Sequence, residues 1–362
     1  MTEKVVENNE EVKPKTRKAP TRRTSKISPA VAEMIEPNEE VTEVVTNVEL
    51  DDSPAVTEDG RTIGVIAVDN GGDNTKILSE TMSEPTHFTN LIAKGKVKDL
   101  DDKIIPPEFH SHVVQWNDNI YLTNLRTAQS RFSPMTSYKE SKTDDFFILS
   151  TLLAVAKYGY DINYLCTCVP FKNFKPSEIN AIRDILIGEH TINIDKVEYN
   201  FEIAEVLVLA EAQAGHYYLL NAKDYYTENG QYTLIEIGSR TVGYATFDII
   251  LDENGEVDMD RTRFIREKSG TLVRKGLKIS KISEEEYYDY TSSIFSDVSD
   301  IVSEDDKVVA FGGGVIIEDI KEGLRNEFKN IVFAKEPLYV QVRGMLEIAK
   351  EIAEEYFAEE DE

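Results

Sequence analysis

The sequence predicts an α/β protein, and two observations lead to that class. Short apolar runs rich in β-branched residues alternate along the chain with segments whose apolar residues recur at helical spacing, which is typical of sheets covered by helices. Three of the apolar runs also end directly in glycine-containing turns, at Asp69–Asn74, Gly238–Arg240 and Gly312–Gly314. A chain of 362 residues with 41% hydrophobic content is long enough for two ordinary domains or one large two-lobed unit.

Strands and helices are expected to alternate through the first half of the ordered chain. The apolar run Ile63–Val68 is typical of a buried strand, and the acidic start and helical spacing of Asp144–Tyr158 predict a helix. The other elements expected here are strands at Thr75–Thr81, Ser111–Gln115, Ile120–Thr123 and Leu165–Val169, and a helix at Pro176–Leu186.

The second half is expected to continue the alternation up to a final amphipathic helix at Val342–Tyr356. The strands expected here are Val197–Phe201, Glu205–Leu209, Thr233–Ile237 and Lys307–Phe311, with a further hairpin that turns at Asp252–Gly255. The helices expected are Ala210–Leu220, Thr271–Ile282 and Glu284–Phe295.

The amino-terminal residues 1–61 have little apolar periodicity, and we expect this tail to be disordered. Within it, Lys13–Lys26 carries seven basic and no acidic residues, whereas Glu33–Asp59 is acidic. The basic stretch has two interpretations: direct contact with DNA or another acidic partner, or a solvated tail with no specific partner.

Charge and hydropathy exclude several classes of protein. The formal net charge of −27 predicts that the folded body repels a nucleic-acid backbone, so any DNA contact is expected to be indirect or to come from the tail. No apolar run approaches the roughly 20 residues that a membrane-spanning helix needs, and the amino terminus lacks the apolar core of a signal peptide. The sequence therefore predicts a cytoplasmic protein without membrane contact.

The cysteines and histidines give little sign of a metal or redox site. Cys166 and Cys168 are two residues apart in an apolar stretch, which places both side chains on one face of a strand. We interpret them as buried core thiols. His110 and His112 have no third candidate ligand, so a metal pair is not favoured there.

One pattern occurs twice in the chain. In Val65–Thr75 and again in Thr233–Thr241, an apolar strand ends in a carboxylate, Asp69 or Glu236, which is followed one residue later by a glycine turn. Glycine allows positive φ and close approach to a ligand, and unpaired N–H groups in such a turn form a concavity for phosphate oxygens. A carboxylate beside the phosphates is suited to holding water on Mg²⁺.

The third turn makes a nucleotide site the preferred interpretation. A single glycine hairpin is commonly an ordinary tight turn. However, the strand Val308–Phe311 ends in three glycines, and such backbone can approach a flat base or ribose where a side chain would collide. Two hairpins for phosphates and one turn for a nucleoside together predict that the chain binds a nucleoside triphosphate.

These segments resemble the ATP-binding signature of actin, the heat-shock ATPases and sugar kinases. Asp69–Lys76 (DNGGDNTK) looks like the first phosphate loop, Ile235–Thr241 (IEIGSRT) like the second, and Phe311–Gly314 (FGGG) like the adenosine loop. Glu211–Gly215 resembles the connecting helix that bears the water-activating residue in ParM-like proteins. Two further segments, Cys166–Pro170 and Val342–Ala349, are similar to the ParM and archaeal-actin branch.

The resemblance implies an actin-like (ribonuclease H-like) two-lobed ATPase fold. Lobe I is expected at residues 62–220 and lobe II, with the carboxyl-terminal helix, at residues 221–362. Family members normally insert a whole subdomain, IIB, between Phe247 and Val308, where this chain has only about sixty residues. The resemblance therefore implies that subdomain IIB is reduced, as in AlfA-type plasmid actins.

The resemblance also implies the roles of the site residues. Glu211 is expected to orient the attacking water, with Gln213 as the alternative, and Asp69 and Glu236 are expected to hold Mg²⁺ through water. Glu236 is a departure, because the family usually has aspartate there. The residues expected to bind the nucleotide are Gly71, Gly72, Asp73, Asn74, Thr75, Lys76, Gly238, Ser239, Arg240, Thr241, Gly312, Gly313, Gly314 and Val315, with Thr271 and Lys275 as candidate ribose contacts.

The function implied is that of an ATP-dependent filament protein of plasmid partition. Such a protein polymerises head to tail with itself, hydrolyses ATP and segregates plasmid or phage DNA through a DNA-binding, ParR-like adaptor. Two alternatives remain at this point. One is a small-molecule kinase of the same superfamily, and the other is a nucleotide-binding scaffold that does not hydrolyse ATP.

Overall fold

A computed structural model of the chain describes most residues beyond the amino-terminal tail. The described residues are 54–96, 110–130, 133–135, 141–220, 222, 225–273, 276, 284–302 and 306–359. The basic stretch Lys13–Lys26 and the candidate ribose contact Lys275 lie outside them. The expectation that residues 1–61 are disordered is wrong at its carboxyl end, because Ala55–Val56 forms a strand that pairs with Thr62 and Ile63.

The first sheet has ten strands within the described residues. They are β1 (Ala55–Val56), β2 (Thr62–Asn70), β3 (Asn74–Ser79), β4 (Thr86–Thr89), β5 (Ile92–Lys94), β6 (Val113–Trp116), β7 (Asn119–Thr123), β8 (Ile162–Val169), β9 (Gly188–Ile194) and β10 (Val197–Ala210). Their order is β4-β3-β2-β8-β10-β9-β6-β7-β5, with β1 alongside β2. The strand β2 is buried on both faces, as its unbroken apolar run predicts.

The second sheet has five strands within the described residues. They are β11 (Gly230–Ile237), β12 (Thr241–Ile249), β13 (Arg263–Val273), β14 (Lys307–Phe311) and β15 (Asn330–Phe333), in the order β13-β12-β11-β14-β15. In this sheet β11 is antiparallel to β12 and parallel to β14. The five strands β4-β3-β2-β8-β10 of the first sheet repeat this arrangement, because β2 is antiparallel to β3 and parallel to β8. The strands that carry Asp69 and Glu236, β2 and β11, therefore hold equivalent positions in two sheets of the same topology.

Seven α-helices lie in the described part of the chain. They are α1 (Asn124–Gln129), α2 (Asp145–Tyr158), α3 (Pro176–Leu186), α4 (Gln213–Leu220), α5 (Glu284–Val298), α6 (Glu318–Glu327) and α7 (Val340–Glu359). The sequence specifies two of the helix starts. The Asp144 carboxylate caps α2 by accepting from Phe147 N at 3.0 Å, and Pro176 occupies the first turn of α3.

Three apolar cores divide these elements into layers. A central core contains residues of both sheets, such as Ala67 and Leu234, together with α4 and α7. A second core lies on the other face of the first sheet, under α2 and α3, and the third lies on the other face of the second sheet, under α5 and α6. Alternate residues of β2 and β11 face different cores, for example Leu234 and Ile235. The ends of both central strands are thereby held by packing on two sides.

The carboxyl-terminal helix α7 packs against β2, β8 and α4, and its contact with α4 is very close. A Cβ added to Gly344 would collide with the backbone carbonyl of Ala214 and lie 3.2 Å from Tyr218 N. Gly344 therefore lets two helix backbones approach each other directly beside Glu211–Gly215.

We expect Gly344→Ala to reduce the free energy of unfolding by about 3 kcal/mol, since the methyl group meets backbone that cannot rotate away. Urea denaturation monitored by circular dichroism measures the change. Lys350→Ala, at a half-buried position of the same helix, is the control and should change stability by less than about 0.5 kcal/mol. Equal stability of the two variants would contradict the packing argument.

Most of the expected elements are confirmed, and the errors have identifiable causes. Val197–Phe201 and Glu205–Leu209 form one strand, β10, that continues through a register shift between Ile203 and Glu205. The helix expected from Thr271 is wrong at its start, because residues 271–273 end β13. The elements that the sequence analysis did not name are the strands β1, β4, β5, β9 and β15 and the helices α1 and α6.

Candidate functional site

The first glycine hairpin lies between β2 and β3. Gly71 N donates to Asn74 O at 3.0 Å and closes the turn. From outside the hairpin, Asn90 donates its side-chain Nδ2 to Gly71 O at 2.8 Å and its backbone N to Asp73 O at 2.7 Å. The Thr75 hydroxyl lies between the side chains of Asn70 and Asn90. The turn is therefore fixed through its carbonyl groups and one hydroxyl.

The second hairpin, between β11 and β12, has the same closing bond. Gly238 N donates to Thr241 O at 3.0 Å, which matches the bond from Gly71 to Asn74 residue for residue. Glu236 therefore occupies in this hairpin the position that Asp69 occupies in the first.

Four N–H groups at the two turns have no acceptor among the described residues. They belong to Gly72, Asp73, Ser239 and Arg240. The N–H groups of Gly71 and Gly238 are instead used inside their own turns, which reduces the set of backbone donors that the sequence analysis expected. Successive unpaired N–H groups in a turn form an anion-binding concavity.

The three glycine turns lie against one another. A Cβ added to Gly72 in the first hairpin would lie 2.7 Å from side-chain atoms of Arg240 in the second. A Cβ added to Gly312, at the end of β14, would lie 2.7 Å from Ile237 O. The segments expected to bind one nucleotide are therefore neighbours in the fold, although they are far apart in sequence.

Three carboxylates and two lysines form a buried cluster beside the hairpins. Lys76 Nζ lies 2.7 Å from Asp69 Oδ2, and the two side chains are 13% and 4% exposed. Lys142 Nζ lies 3.1 Å from Glu211 Oε1, and both side chains are 11% exposed. The third carboxylate, Glu236, has a buried oxygen, Oε2, without a hydrogen-bond partner among the described residues.

The pKa values of the cluster follow from burial and from this pairing. The pKa of Glu236 is raised to about 8, first by burial and then by the negative charges of Glu211 and Asp69, whose effect exceeds the opposite effect of Lys76 and Lys142. Burial also acts to raise the pKa of Asp69, but Lys76 and Lys142 hold it below its usual value. Near pH 7 the site therefore contains one ionised and one largely protonated carboxyl at equivalent strand ends.

Glu211 and Gln213 lie on either side of a strained residue. Between them Ala212 has φ +69°, a conformation that costs a non-glycine residue on the order of 1 kcal/mol or more. Gln341 of α7 stabilises this bend, because its Oε1 accepts from Ala212 N and Gly215 N at 3.2 Å each. The Gln213 side chain is buried, and its Oε1 has no partner among the described residues.

The two cysteines are buried, as expected, and burial raises the pKa of both thiols. Cys166 belongs to the central core. Cys168 contacts the charged cluster, since its Sγ lies 3.5 Å from Asp69 Oδ1. It is therefore a neutral neighbour of the site.

Other expected site residues lie at its margin. Thr271 is in β13 opposite Gly243, and its buried hydroxyl has no partner among the described residues. Val315 is fully buried in the outer core of the second sheet, so it supports the third turn from behind. Gly276, which the sequence analysis did not name, also lies here, since a Cβ added to it would collide with the backbone of Ser239 and Arg240.

The two histidines that were considered as a metal pair have other partners. His112 Nδ1 lies 2.7 Å from Asp195 Oδ2, and His110 Nδ1 lies 3.2 Å from the Tyr158 hydroxyl. Within the described residues, no group of three or more histidine, cysteine or acidic side chains is arranged to hold a metal ion.

Sequence reasoning missed three residues that shape the site: Lys142, Asn90 and Gln341. They lie before α2, after β4 and at the start of α7, outside the glycine turns. Lys142 is preceded and followed by polar residues and shows no motif. The sequence offered one indirect signal for Lys142. The expected ligands include more carboxylates than lysines, and buried carboxylates require a cation nearby.

The unpaired groups of the site fit a magnesium nucleotide. Phosphate oxygens need N–H donors, which Gly72, Asp73, Ser239 and Arg240 offer. A hydrated Mg²⁺ needs oxygen ligands, and Glu236 Oε2 is a buried oxygen that lacks a partner in the described part of the chain. Buried polar atoms are rarely left unpaired unless a ligand or water completes them.

Comparison with known proteins was made by sequence and by structure. The family described as "Actin like proteins N terminal domain" matches residues 67–213. No curated protein shows significant sequence similarity to the chain. Among the described residues, none of the helices is long and apolar enough to cross a membrane.

Three solved structures illustrate the structural similarity. A 15-stranded ParM filament from Clostridium botulinum has a TM-score of 0.63 at 16% identity and covers 80% of this chain and 99% of its own. An AlfA filament bound to AMPPNP has a TM-score of 0.58 at 17% identity, covering 82% and 100%. An archaeal actin homologue in complex with ADP has a TM-score of 0.58 at 13% identity, covering 79% and 99%.

Proposed function

Because the chain has the actin-like fold, with an actin-like protein N-terminal domain at residues 67–213, we propose that it is a filament-forming ATPase that segregates plasmid or phage DNA. One observation carries the proposal. Two equivalent hairpins, each with a carboxylate near the end of its central strand, lie against each other beside a buried cluster of charges, and a third glycine turn packs on the strand that leads into the second hairpin.

In this proposal the phosphates of ATP lie between the two hairpins. The N–H groups of Gly72, Asp73, Ser239 and Arg240 donate to phosphate oxygens, and Lys76 supplies a positive charge. The nucleoside lies against the third turn, Gly312–Gly314, which packs directly on Ile237 at the start of the second hairpin. The backbone N–H donors and the positive charge of Lys76 favour binding of a nucleoside triphosphate.

Hydrolysis in this proposal depends on positioning and charge neutralisation. When bound, Mg²⁺ neutralises phosphate charge, and Asp69 and Glu236 are the residues that would hold it through water. Glu211 orients the attacking water, and the strained bend at Ala212 together with Gln341 fixes the backbone that carries Glu211. Gln213, buried beside it with an unpaired oxygen, remains the alternative for this role.

Assembly is proposed to be head to tail. The ParM and AlfA structures of similar fold are filaments, and a heterologous interface that does not close on itself propagates in this way. The acidic body is poorly suited to contact DNA, so a DNA-binding adaptor, or the basic stretch Lys13–Lys26, would connect the filament to its cargo.

The proposal is tested by sedimentation and negative-stain electron microscopy of the purified full-length protein. We expect filaments with Mg²⁺ and ATP, slower disassembly with a non-hydrolysable analogue, and soluble protein without nucleotide. Release of phosphate should rise with the amount of polymer. Protein that stays soluble at micromolar concentrations with ATP, or that shows no affinity for adenine nucleotides, would contradict the proposal.

The matched variant for hydrolysis is Glu211→Gln. Removal of a water-orienting carboxylate should lower the turnover number by about 100-fold while ATP-dependent assembly persists.

Deletion of residues 1–53 tests the cargo contact. If the tail contacts DNA directly, the deletion should abolish co-sedimentation of DNA with filaments. An adaptor-only linkage predicts no co-sedimentation with either chain until an adaptor is added.

A further inference from the structure

Lys142 lies inside the acidic cluster although nothing in its sequence surroundings marks it. Its backbone is fixed from two directions. Lys142 N donates to Glu178 Oε1 of α3 at 3.0 Å, and two residues later Asp144 caps α2. The position of the side chain is therefore set by two helices, as a site residue on rigid support requires.

The ammonium group of Lys142 is surrounded by three groups. Glu211 Oε1 lies 3.1 Å from it, Cys168 Sγ lies 3.9 Å from it, and the centroid of the Phe147 ring lies 5.6 Å away. Glu211 is the only carboxylate within ion-pair distance of Lys142 among the described residues. The ammonium is thus held against that carboxylate by apolar and weakly polar neighbours.

The two lysines of the cluster form direct ion pairs with different carboxylates, although the charges of both also lower the pKa of Asp69. Lys76 pairs with Asp69, Lys142 pairs with Glu211, and Glu236 has no ion pair within the described residues. Since a buried charge without a partner is strongly destabilising, this division determines which carboxylates are held in place.

We infer that Lys142 is a positioning residue that fixes the Glu211 carboxylate for hydrolysis, an inference that rests on the proposed function. The backbone at Glu211 is already fixed, but its side chain has three rotatable bonds. Lys142 holds one oxygen, Oε1, and the other has no protein partner in the part of the chain that the structure describes. That second oxygen is available to accept a hydrogen bond from the attacking water.

A competing assignment makes Lys142 a ligand of the phosphates. The two assignments differ in the measurable constant that Lys142 controls. A phosphate ligand lowers affinity for ATP when it is removed, whereas a positioning residue lowers turnover and leaves affinity nearly unchanged. They also differ in a double-variant cycle with Glu211. A positioning residue acts through Glu211, so its replacement should have no further effect on turnover once Glu211 has been replaced.

The experiment measures turnover by phosphate release and ATP affinity by fluorescence titration, with Mg²⁺ present, for wild type, Lys142→Met, Glu211→Gln and the double variant. Wild-type turnover is measured first, because its absence refutes the proposed function rather than this inference. Lys142→Met should lower turnover at least about tenfold and change affinity less than about threefold. In the Glu211→Gln background, Lys142→Met should have no further effect on turnover.

The double variant also keeps the test decisive if Lys142→Met alone does not fold. Replacing both members of a buried ion pair is tolerated better than replacing one, so the double variant can be compared directly with Glu211→Gln. A fall of fivefold or more, roughly 1 kcal/mol, between those two would overturn the inference. A parallel loss of affinity and turnover in Lys142→Met would do the same and would assign Lys142 to the phosphates.

A surface lysine with the same kind of partner provides the control. Lys321 Nζ lies 3.0 Å from Glu318 Oε2 on the exposed side of α6. Lys321→Met removes an ion pair of similar length and should leave both ATP affinity and turnover unchanged. If Lys321→Met lowered turnover as much as Lys142→Met, the effect would follow from lost lysine charge in general.

Discussion

Glu236→Gln is expected to stabilise the nucleotide-free protein at alkaline pH and to remove the loss of stability that ionisation of Glu236 causes between about pH 5 and pH 8. Burial, followed by the charges of Glu211 and Asp69, raises the pKa of Glu236 from 4.5 to about 8. Between these values the folded protein holds a proton that the unfolded chain has released. Stability is therefore greatest below the unfolded pKa and falls as pH rises through the folded pKa.

The size of the effect is limited by the pKa shift. A shift of this size corresponds to a loss of at most about 5 kcal/mol between pH 4.5 and pH 8 in wild type. Glutamine keeps the shape of the side chain and has no proton to lose, so the variant avoids that loss. Magnesium nucleotide should bind the variant more weakly, since a carboxylate oxygen has been replaced by an amide.

Thermal unfolding of nucleotide-free protein at about pH 5, 6.5 and 8.5 measures this prediction. The midpoint of Glu236→Gln minus that of wild type should increase across the series, because only wild type loses the proton of Glu236. Glu253→Gln, which changes an exposed carboxylate in the turn between β12 and β13, is the control and should follow wild type. Parallel curves for wild type and Glu236→Gln would show that Glu236 is already ionised near neutral pH.

Much of the fold could be predicted because local patterns and tertiary structure agree. The unbroken apolar run of β2, the capped start of α2 and the proline at the start of α3 each specify an element without reference to the rest of the chain. The actin-like fold expected from the glycine turns is confirmed by the similarity to ParM, AlfA and archaeal actin structures.

The missed elements β9 and α6 differ in the local signals that they carry. Strand β9 contains glycine, glutamate and histidine in its first three residues, and its pairing with β10, the next strand along the chain, makes it a strand. Helix α6 did carry local signals that the sequence analysis overlooked. Its buried residues Ile320 and Leu324 recur at helical spacing, and its ends carry charges that favour a helix.

The candidate site also contains two kinds of residue: those that the local sequence identifies and those that only tertiary packing brings to the site. Asp69 and Glu236 could be selected because each directly follows an apolar strand and precedes a glycine turn. Lys142 and Gln341 act on Glu211–Gly215 from segments 69 and 130 residues from Glu211, counted along the chain. Their roles depend on how helices pack, and a single sequence does not record that packing.

Gly312→Ala is expected to have the largest effect of any single methyl group in the nucleotide turns. Gly312 has φ +95°, where a side chain is strained by about 1–2 kcal/mol. A Cβ there would lie 2.7 Å from Ile237 O, which belongs to the backbone leading into the second hairpin. Together with an overpacking cost of about 1–3 kcal/mol, the free energy of unfolding should fall by about 2–5 kcal/mol. ATP affinity should fall at least tenfold, because the carbonyl that must move adjoins Gly238.

The neighbouring glycine separates this specific contact from a general need for glycine in the turn. Gly313 has no positive φ, and a Cβ added there would meet only Leu338 Cδ1, at an ordinary 3.6 Å. Gly313→Ala should therefore change the free energy of unfolding by less than about 0.5 kcal/mol, as measured by urea denaturation of both variants. Equal destabilisation of the two variants would mean that the turn requires flexibility. A loss confined to Gly312→Ala would mean that the third turn and the second hairpin are held in direct backbone contact, which is the geometry on which a shared nucleotide site depends.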